Sequence, residues 1–239
     1  MQDVRVIGHR GAASLAPENT LASIRKAFET GATWVEIDVS VTHDGSLVIF
    51  HDDTLERCSN GKGLLEEASW DYLKSLDAGS WFDPIFSQER IPSLLDAVQL
   101  IQSLGMGLNL EIKYEGSDYP RIVDPTLALL NKYWQEPDML VISSFNHGAL
   151  LRCRALQCRY PLGQLYEGIP ANWESELRAI NAYSLHCDYS QLSYKQARAI
   201  KSAGYQLYCY TANEPELVAK HWAWGMDAII TDNPPAFLS

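Results

Sequence analysis

Residues 34–52 read W-V-E-I-D-V-S-V-T-H-D-G-S-L-V-I-F-H-D. Glu36 and Asp38 stand two apart, and on a β-strand residues two apart project from the same face. The intervening Val35, Ile37, Val39 and Val41 make the opposite face apolar, which predicts a strand buried on that side rather than a polar strand on a solvated surface. Two carboxylates on one face repel each other unless a proton or a cation lies between them. A hard divalent cation, magnesium or calcium, suits carboxylate oxygens. Asp44-Gly45 signals a tight hairpin. With a two-residue turn, Asp38 pairs with His51, roughly 5 Å apart at Cβ, so two acids and a histidine converge. A three-residue loop with a bulge at Gly45 shifts the register by one.

The 239-residue chain is 46% hydrophobic and 21% charged, which is ordinary globular composition and enough for a sizeable core. A net charge of −11 argues against a general nucleic-acid binder. An anionic substrate would need local help from Arg, Lys or a metal. The five cysteines (58, 153, 158, 187 and 209) show no zinc-type spacing. With no signal-peptide pattern at the N-terminus, they read as reduced thiols of a cytoplasmic protein. No apolar run approaches the length needed to span a bilayer.

Outward from residues 34–52, strands and helices alternate. A strand at Val4–Gly8 ends in His9-Arg10-Gly11. A helix follows, capped by Asn19 or Thr20, with Leu21, Ile24 and Phe28 as its apolar stripe and Gly31 as its stop. From Asp53 to Pro92 the pattern breaks into turn signals and aromatic anchors (Trp70, Trp81, Phe82), an insertion with some structure of its own. Ser93 with Asp96 then forms a capping box for a helix ending at Gly105. Strands follow at Leu108–Ile112, Leu140–Ser143, Gly163–Tyr166, Ser184–Cys187, Tyr205–Thr211 and Asp227–Thr231. Helices lie between them, including Asp124–Trp134, one capped by Ser193 with Gln196, and one capped by Asn213 with Glu216. Eight such units with one hairpin spliced in predict a (β/α)8 barrel with a small insertion after strand 2, the whole chain forming one domain. A doubly wound sheet would carry a glycine-rich fingerprint after its first strand, and there is none.

The polar residues fall at or just beyond the C-terminal ends of these strands, where such barrels build their sites. Glu36, Asp38 and Glu111 are the candidate metal ligands. Lys113, two beyond Glu111, and Arg10 supply positive charge for an anion, Arg through its planar fork. His9 and His51 are the candidates for proton transfer. Phe145, His186, Tyr210 and Asn213 are candidate substrate contacts, with His186 shaping the pocket and Tyr210 reading equally as packing. His43, in the turn, is expected to be exposed. His147 and His221 fall on helices and read as structural.

H-R-G at His9–Gly11, P-E-N-T at Pro17–Thr20, E-x-D-V from Glu36, D-G at Asp44-Gly45, H-D at His51-Asp52, E-I-K at Glu111–Lys113 and T-D at Thr231-Asp232 stand in order along nearly the whole chain. Together they resemble the glycerophosphodiester phosphodiesterase family, and the compact size is similar to its small cytosolic bacterial branch. The resemblance implies a (β/α)8 barrel with an insertion after the second strand. It implies hydrolysis of glycerophosphodiesters to sn-glycerol 3-phosphate and an alcohol. It also implies metal binding by Glu36, Asp38 and Glu111, acid and base roles for His9 and His51, and phosphate binding by Arg10 and Lys113. Two positions depart from the pattern: Thr33 where many relatives carry Asp, and Tyr210 where many carry Trp.

The function expected is metal-dependent hydrolysis of diesters such as glycerophosphocholine or glycerophosphoethanolamine, with water or the glycerol 2-hydroxyl as nucleophile. One alternative is a phospholipase-type diesterase that acts on intact lipid, with Trp81, Phe82 and Phe86 as an apolar rim. Another is a non-catalytic phosphate-binding barrel. The partner expected is a small molecule, with no nucleic acid and no stable membrane insertion. A homodimer is compatible with this reading.

Overall fold

The computed structural model describes residues 5–238. Val4, placed in the first strand above, lies outside them. The elements in order are β1 (Val6–Gly8), α1 (Leu21–Glu29), β2 (Trp34–Val41), β3 (Leu47–Ile49), α2 (Trp70–Leu73), α3 (Leu94–Ser103), β4 (Gly107–Ile112), α4 (Pro120–Tyr133), β5 (Leu140–Ser144), α5 (His147–Ala155), β6 (Leu162–Tyr166), α6 (Trp173–Ala179), β7 (Ser184–Asp188), α7 (Tyr194–Ser202), β8 (Gln206–Tyr210), α8 (Pro215–Trp224), β9 (Ala228–Thr231) and α9 (Pro235–Leu238). Eight strands pair in parallel in the order β1-β2-β4-β5-β6-β7-β8-β9, and β9 closes on β1. This is the (β/α)8 barrel that the alternation predicts.

The ninth strand, β3, lies outside the ring and runs antiparallel to β2. β2 is long enough to do two jobs. Its start pairs with β1 (Ile7 with Trp34, Gly8 with Val35), and its end rises past β1 and pairs with β3 (Val41 with Leu47, Val39 with Ile49). The hairpin is the three-residue version. Thr42 N–H donates to Ser46 O, and Gly45 takes the positive φ of +81° that a bulge needs. The register is therefore one off the two-residue count: Phe50 N–H meets Asp38 O, and His51 falls just past the pair rather than opposite Asp38.

Alternation sorts the strand residues as predicted. Val35, Ile37, Val39, Leu108, Leu110, Leu140 and Ile142 face outward and pack with Ile24, Ala27, Leu94, Val98 and Ile101 of the surrounding helices. Inside the barrel, Ile7, Trp34, Val141, Tyr208 and Ala228 fill the lower layers. Gly107 stands beside Trp34 in register, and a Cβ there would lie 2.2 Å from the indole, so only glycine admits the ring. Above that filled layer, a cavity lies at the strand C-terminal end.

The helix ends follow local chemistry. Thr20 caps α1, Ser93–Asp96 and Ser193–Gln196 form complete capping boxes, and Gly225 ends α8 at φ +108°. Three expectations need correction. Phe28 is 46% exposed, and Ala27 takes the buried place beside Ile24 in α1. α4 begins at Pro120, four residues before Asp124, and keeps Pro125 within its first turns. Asn213 does not cap α8, whose N-cap is Glu214 without a side-chain bond. Asn213 bonds Thr231 and Asp232 at the end of the neighbouring β9 instead. Between β3 and α3, α2 and two short 3-10 turns surround an apolar cluster of Phe50, Leu55, Cys58, Leu65, Leu73, Leu76 and Ile91. All five cysteines are free and buried, and burial pushes the Cys58 and Cys153 thiols up to about 12. No helix among the described residues is long and apolar enough to cross a membrane.

Candidate active site

β2 and β4 lie side by side, with Glu36 level with Asn109 and Asp38 level with Glu111. All four point into the barrel. Oxygens of Glu36, Asp38 and Glu111 lie within 4.8 Å of one another, and each residue is buried. Glu36 Oε1 is shut away from solvent without a hydrogen-bond partner among the described residues. Burial, Asp38 and the third carboxylate raise Glu36 well above the usual range. Burial and the Asp38 charge push Glu111 up to about 8. Three buried acids with an unused oxygen are what a small cation would relieve, so the donor set fits a hard divalent metal.

The neighbouring groups hold the acids in place. Asn19, at φ +56°, donates from Nδ2 to Asp38 Oδ2 at 2.8 Å and accepts the Asp38 N–H at 3.2 Å. Arg10, at φ +51°, turns its backbone N–H to Glu36 Oε2 (3.0 Å). Its side chain donates to Glu18 Oε1 at 2.6 Å, with Nε 3.5 Å from Asp38 Oδ2. Burial works against the guanidinium charge, and Asp38, Glu18 and Glu36 outweigh it. Lys113 Nζ is 3.5 Å from Glu111 Oε1 and 5.9 Å from the Phe145 ring centre.

The two histidines are built alike. His9 follows β1, and its Nδ1 is 2.6 Å from Asp232 Oδ1. His51 follows β3, and its Nδ1 is 2.7 Å from Asp52 Oδ1. Each Nδ1 is tied to a carboxylate, which leaves Nε2 for the mouth. His9 Nε2 is 3.9 Å from Glu36 Oε2. Burial holds His51 below the usual histidine range, with Arg10 and Lys113 adding to the depression and Asp38 and Asp52 opposing it. Asp232 is below the usual carboxylate range, because the His9 and Asn213 hydrogen bonds outweigh its burial. The hydrogen bonds from Arg57 hold Asp52 lower still.

These groups open on a cavity of about 200 Å³. His9, Arg10, Glu36, His51 and Glu111 form its polar wall, and Phe145, Leu165, Tyr210 and Ile230 its apolar one. The Tyr210 hydroxyl donates to Tyr166 O, and its ring meets Phe145 edge to face. An open groove runs on from His51 past Asp53, Lys113 and Tyr114. Nine of the eleven sequence candidates thus surround one mouth.

Two candidates do not. His186 is fully buried one layer down, level with Tyr208, stacked on that ring and bonded to Ser184 Oγ. It cannot touch a ligand in the mouth. The mouth-level residue on β7 is Asp188, level with Tyr210. Asn213 stands outside the cavity. Its Nδ2 donates to Asp232 Oδ2 and its Oδ1 accepts from Asp232 N–H, so it supports the His9 partner. The supports themselves (Asn19, Glu18, Asp52 and Asp232) are not among those eleven, although each lies in a motif quoted above. As for the remaining histidines, His43 is exposed, His147 bonds Gln164, and His221 is buried against Tyr189 O.

Residues 9–236 match the family described as Glycerophosphoryl diester phosphodiesterase family. The chain belongs to this family. A glycerophosphodiester phosphodiesterase of Caldanaerobacter subterraneus subsp. tengcongensis is 36% identical over 235 residues, 98% of this chain and 96% of its own. Among solved structures, an Oleispira antarctica phosphodiesterase in complex with the product sn-glycerol-3-phosphate is 39% identical, with a TM-score of 0.95 over 98% of this chain and 97% of that one. A Thermotoga maritima glycerophosphodiester phosphodiesterase superposes with a TM-score of 0.79 at 27% identity, over 98% and 97% of the two chains. The chain is accordingly an enzyme, a phosphoric diester hydrolase with glycerophosphodiester phosphodiesterase activity. This sets aside the non-catalytic barrel.

Proposed function

We propose that the enzyme hydrolyses glycerophosphodiesters such as glycerophosphocholine and glycerophosphoethanolamine to sn-glycerol 3-phosphate and the free alcohol. The observation that carries the reading is the pair of imidazoles, each anchored by a carboxylate, that line one cavity with members of a buried three-acid cluster. The product held by the Oleispira antarctica relative supports it. Glu36, Asp38 and Glu111 would hold the cation. When bound, the divalent ion, magnesium or calcium, supplies positive charge opposite the phosphate oxygens. Arg10 beside Asp38 and Lys113 beside Glu111 add fixed positive charge. His9 and His51 divide the proton transfers: one accepts the proton of the nucleophile, and the other gives a proton to the leaving alkoxide. The apolar wall of Phe145 and Tyr210 limits water on the far side of the pocket. The groove past Lys113 leaves room for the alcohol. We read the chain as a single barrel domain with residues 53–92 as an insertion. The five free buried thiols suit a reducing cytoplasm.

Release of glycerol 3-phosphate from a panel of soluble diesters, with EDTA and with magnesium or calcium restored, tests this. Activity that survives full chelation would remove the metal from the reading. The lipid-acting alternative draws on the insertion, where Ile85 is 79% exposed and Trp81 40% exposed, with Trp81, Phe82 and Phe86 meeting edge to face in turn. Turnover of soluble glycerophosphocholine without vesicles separates the two. An enzyme that needs a lipid surface would favour the alternative.

A further inference from the structure

Arg57 lies in the segment after β3, and its side chain is nearly half exposed. It nevertheless makes four short hydrogen bonds. Nε donates to Asp52 Oδ2 at 2.6 Å and one terminal nitrogen to Asp52 Oδ1 at 2.7 Å. The same nitrogen reaches Glu18 Oε1 at 2.8 Å, and the other reaches Glu18 Oε2 at 2.7 Å. One planar fork therefore grips two carboxylates at once, using the geometry that distinguishes Arg from Lys. Neither carboxylate ends there. Asp52 Oδ1 holds His51 Nδ1, and Glu18 Oε1 holds Arg10. Both of those side chains line the cavity. A residue outside the pocket is thus one carboxylate away from a proton-transfer group on one arm and from a phosphate-binding group on the other.

We infer that Arg57 is a positioning residue that sets His51 through Asp52 and Arg10 through Glu18, so that the insertion tunes turnover and phosphate binding together. The inference rests on the roles proposed above for His51 and Arg10. The competing account is a tether that only fastens residues 53–92 to the barrel. A tether acts on stability. A positioning fork acts on kcat and on affinity for phosphate while the fold stays intact. Lysine keeps a positive charge but cannot hold both carboxylates bidentately, so Arg57→Lys separates charge from fork geometry.

The test uses the metal-loaded enzyme with a soluble diester, and inorganic phosphate as a competitive probe. Arg57→Ala is expected to lower kcat by about 10-fold or more and to weaken phosphate inhibition severalfold. Arg57→Lys should recover only part of each loss. Millimolar ethylguanidinium should restore Arg57→Ala in part, which a broken tether would not allow. The kcat loss should shrink in an Asp52→Asn background and the phosphate effect in a Glu18→Gln background, because shared networks are non-additive. Wild-type kcat and phosphate inhibition in folded Arg57→Ala overturn the inference, as do losses that add fully in both backgrounds. If Arg57→Ala does not fold, Arg57→Lys decides: full kcat and full phosphate inhibition there overturn it equally. Near wild-type rates in His51→Ala and Arg10→Ala would defeat the underlying roles instead. Losses there with none at Arg57 would defeat this inference alone.

Discussion

His9 Nδ1 stands 2.6 Å from Asp232 Oδ1, two residues separated by 223 positions in the chain and joined where β9 closes on β1. The carboxylate accepts a hydrogen bond from Nδ1–H and leaves Nε2 for the cavity, which favours the tautomer useful for chemistry there. Asp232→Asn keeps the size and loses the charge. We expect kcat to fall by about 10- to 100-fold with KM changed little, because the imidazole is misoriented only when it must gain or lose a proton. Asn213→Ala should fall in the same direction by less, since Asn213 acts by holding Asp232. The double variant should be no worse than Asp232→Asn alone. Steady-state kinetics check this, and fully additive losses would place Asn213 in some other role.

The imidazoles themselves should matter more. His9→Ala and His51→Ala are each expected to lower kcat by about 10²- to 10⁴-fold. Neither ring packs in the apolar core, so thermal midpoints should stay within a few degrees of wild type. A variant that folds normally and turns over near the wild-type rate would take that histidine out of the proton-transfer pair.

Much of this was legible in the chain, and the reasons differ by residue. The parity of β2 exposed Glu36 and Asp38 as a pair because a period of two leaves no third option once Val35, Ile37 and Val39 are buried. The capping boxes at Ser93 and Ser193 were legible because they are local. The hairpin register was not settled, because Asp-Gly serves both two- and three-residue turns. Gly45 φ and the Thr42–Ser46 bond decide it only in three dimensions. His186 was misplaced for a different reason. Parity puts it inside the barrel correctly, but depth depends on strand stagger, and two residues along the strand separate the packed layer from the mouth. The Asp232 contact with His9, and the Arg57 contact with Glu18, join segments far apart in order, and no local pattern announces them.

The acid cluster makes a prediction about stability. Glu111 is pushed up to about 8 and Glu36 is raised well above 4.5, so without a cation the folded state keeps protons that the unfolded state has released. Stability must then fall as pH rises from about 4.5 towards 8. A bound divalent ion removes the cause. Magnesium or calcium should therefore raise the thermal midpoint by a few degrees at pH 8 and by less at pH 5. Glu36→Gln should be more stable than wild type in EDTA at pH 8, and should lose both the metal-induced rise and most of the turnover. A midpoint indifferent to metal and to pH across this range would contradict a cation among these three carboxylates.

His51 makes the opposite kind of prediction. Burial sets its imidazole below the ordinary 6.5, helped by Arg10 and Lys113, so the neutral ring is favoured in the folded state. As pH falls below 6.5 the unfolded chain takes up this proton first, so stability is lost progressively until the folded ring also protonates, and the loss stays constant below that. His51→Asn should therefore resist mild acid better than wild type, although it is inactive at every pH. The hydrogen bond to Asp52 works against the depression, so Asp52→Asn should lower the His51 midpoint further. An NMR titration of the His51 ring protons reads both. A wild-type midpoint above 6.5 would mean that the nearby carboxylates outweigh burial, and one above about 7 would leave the ring mostly charged at neutral pH and better suited to donate a proton than to accept one.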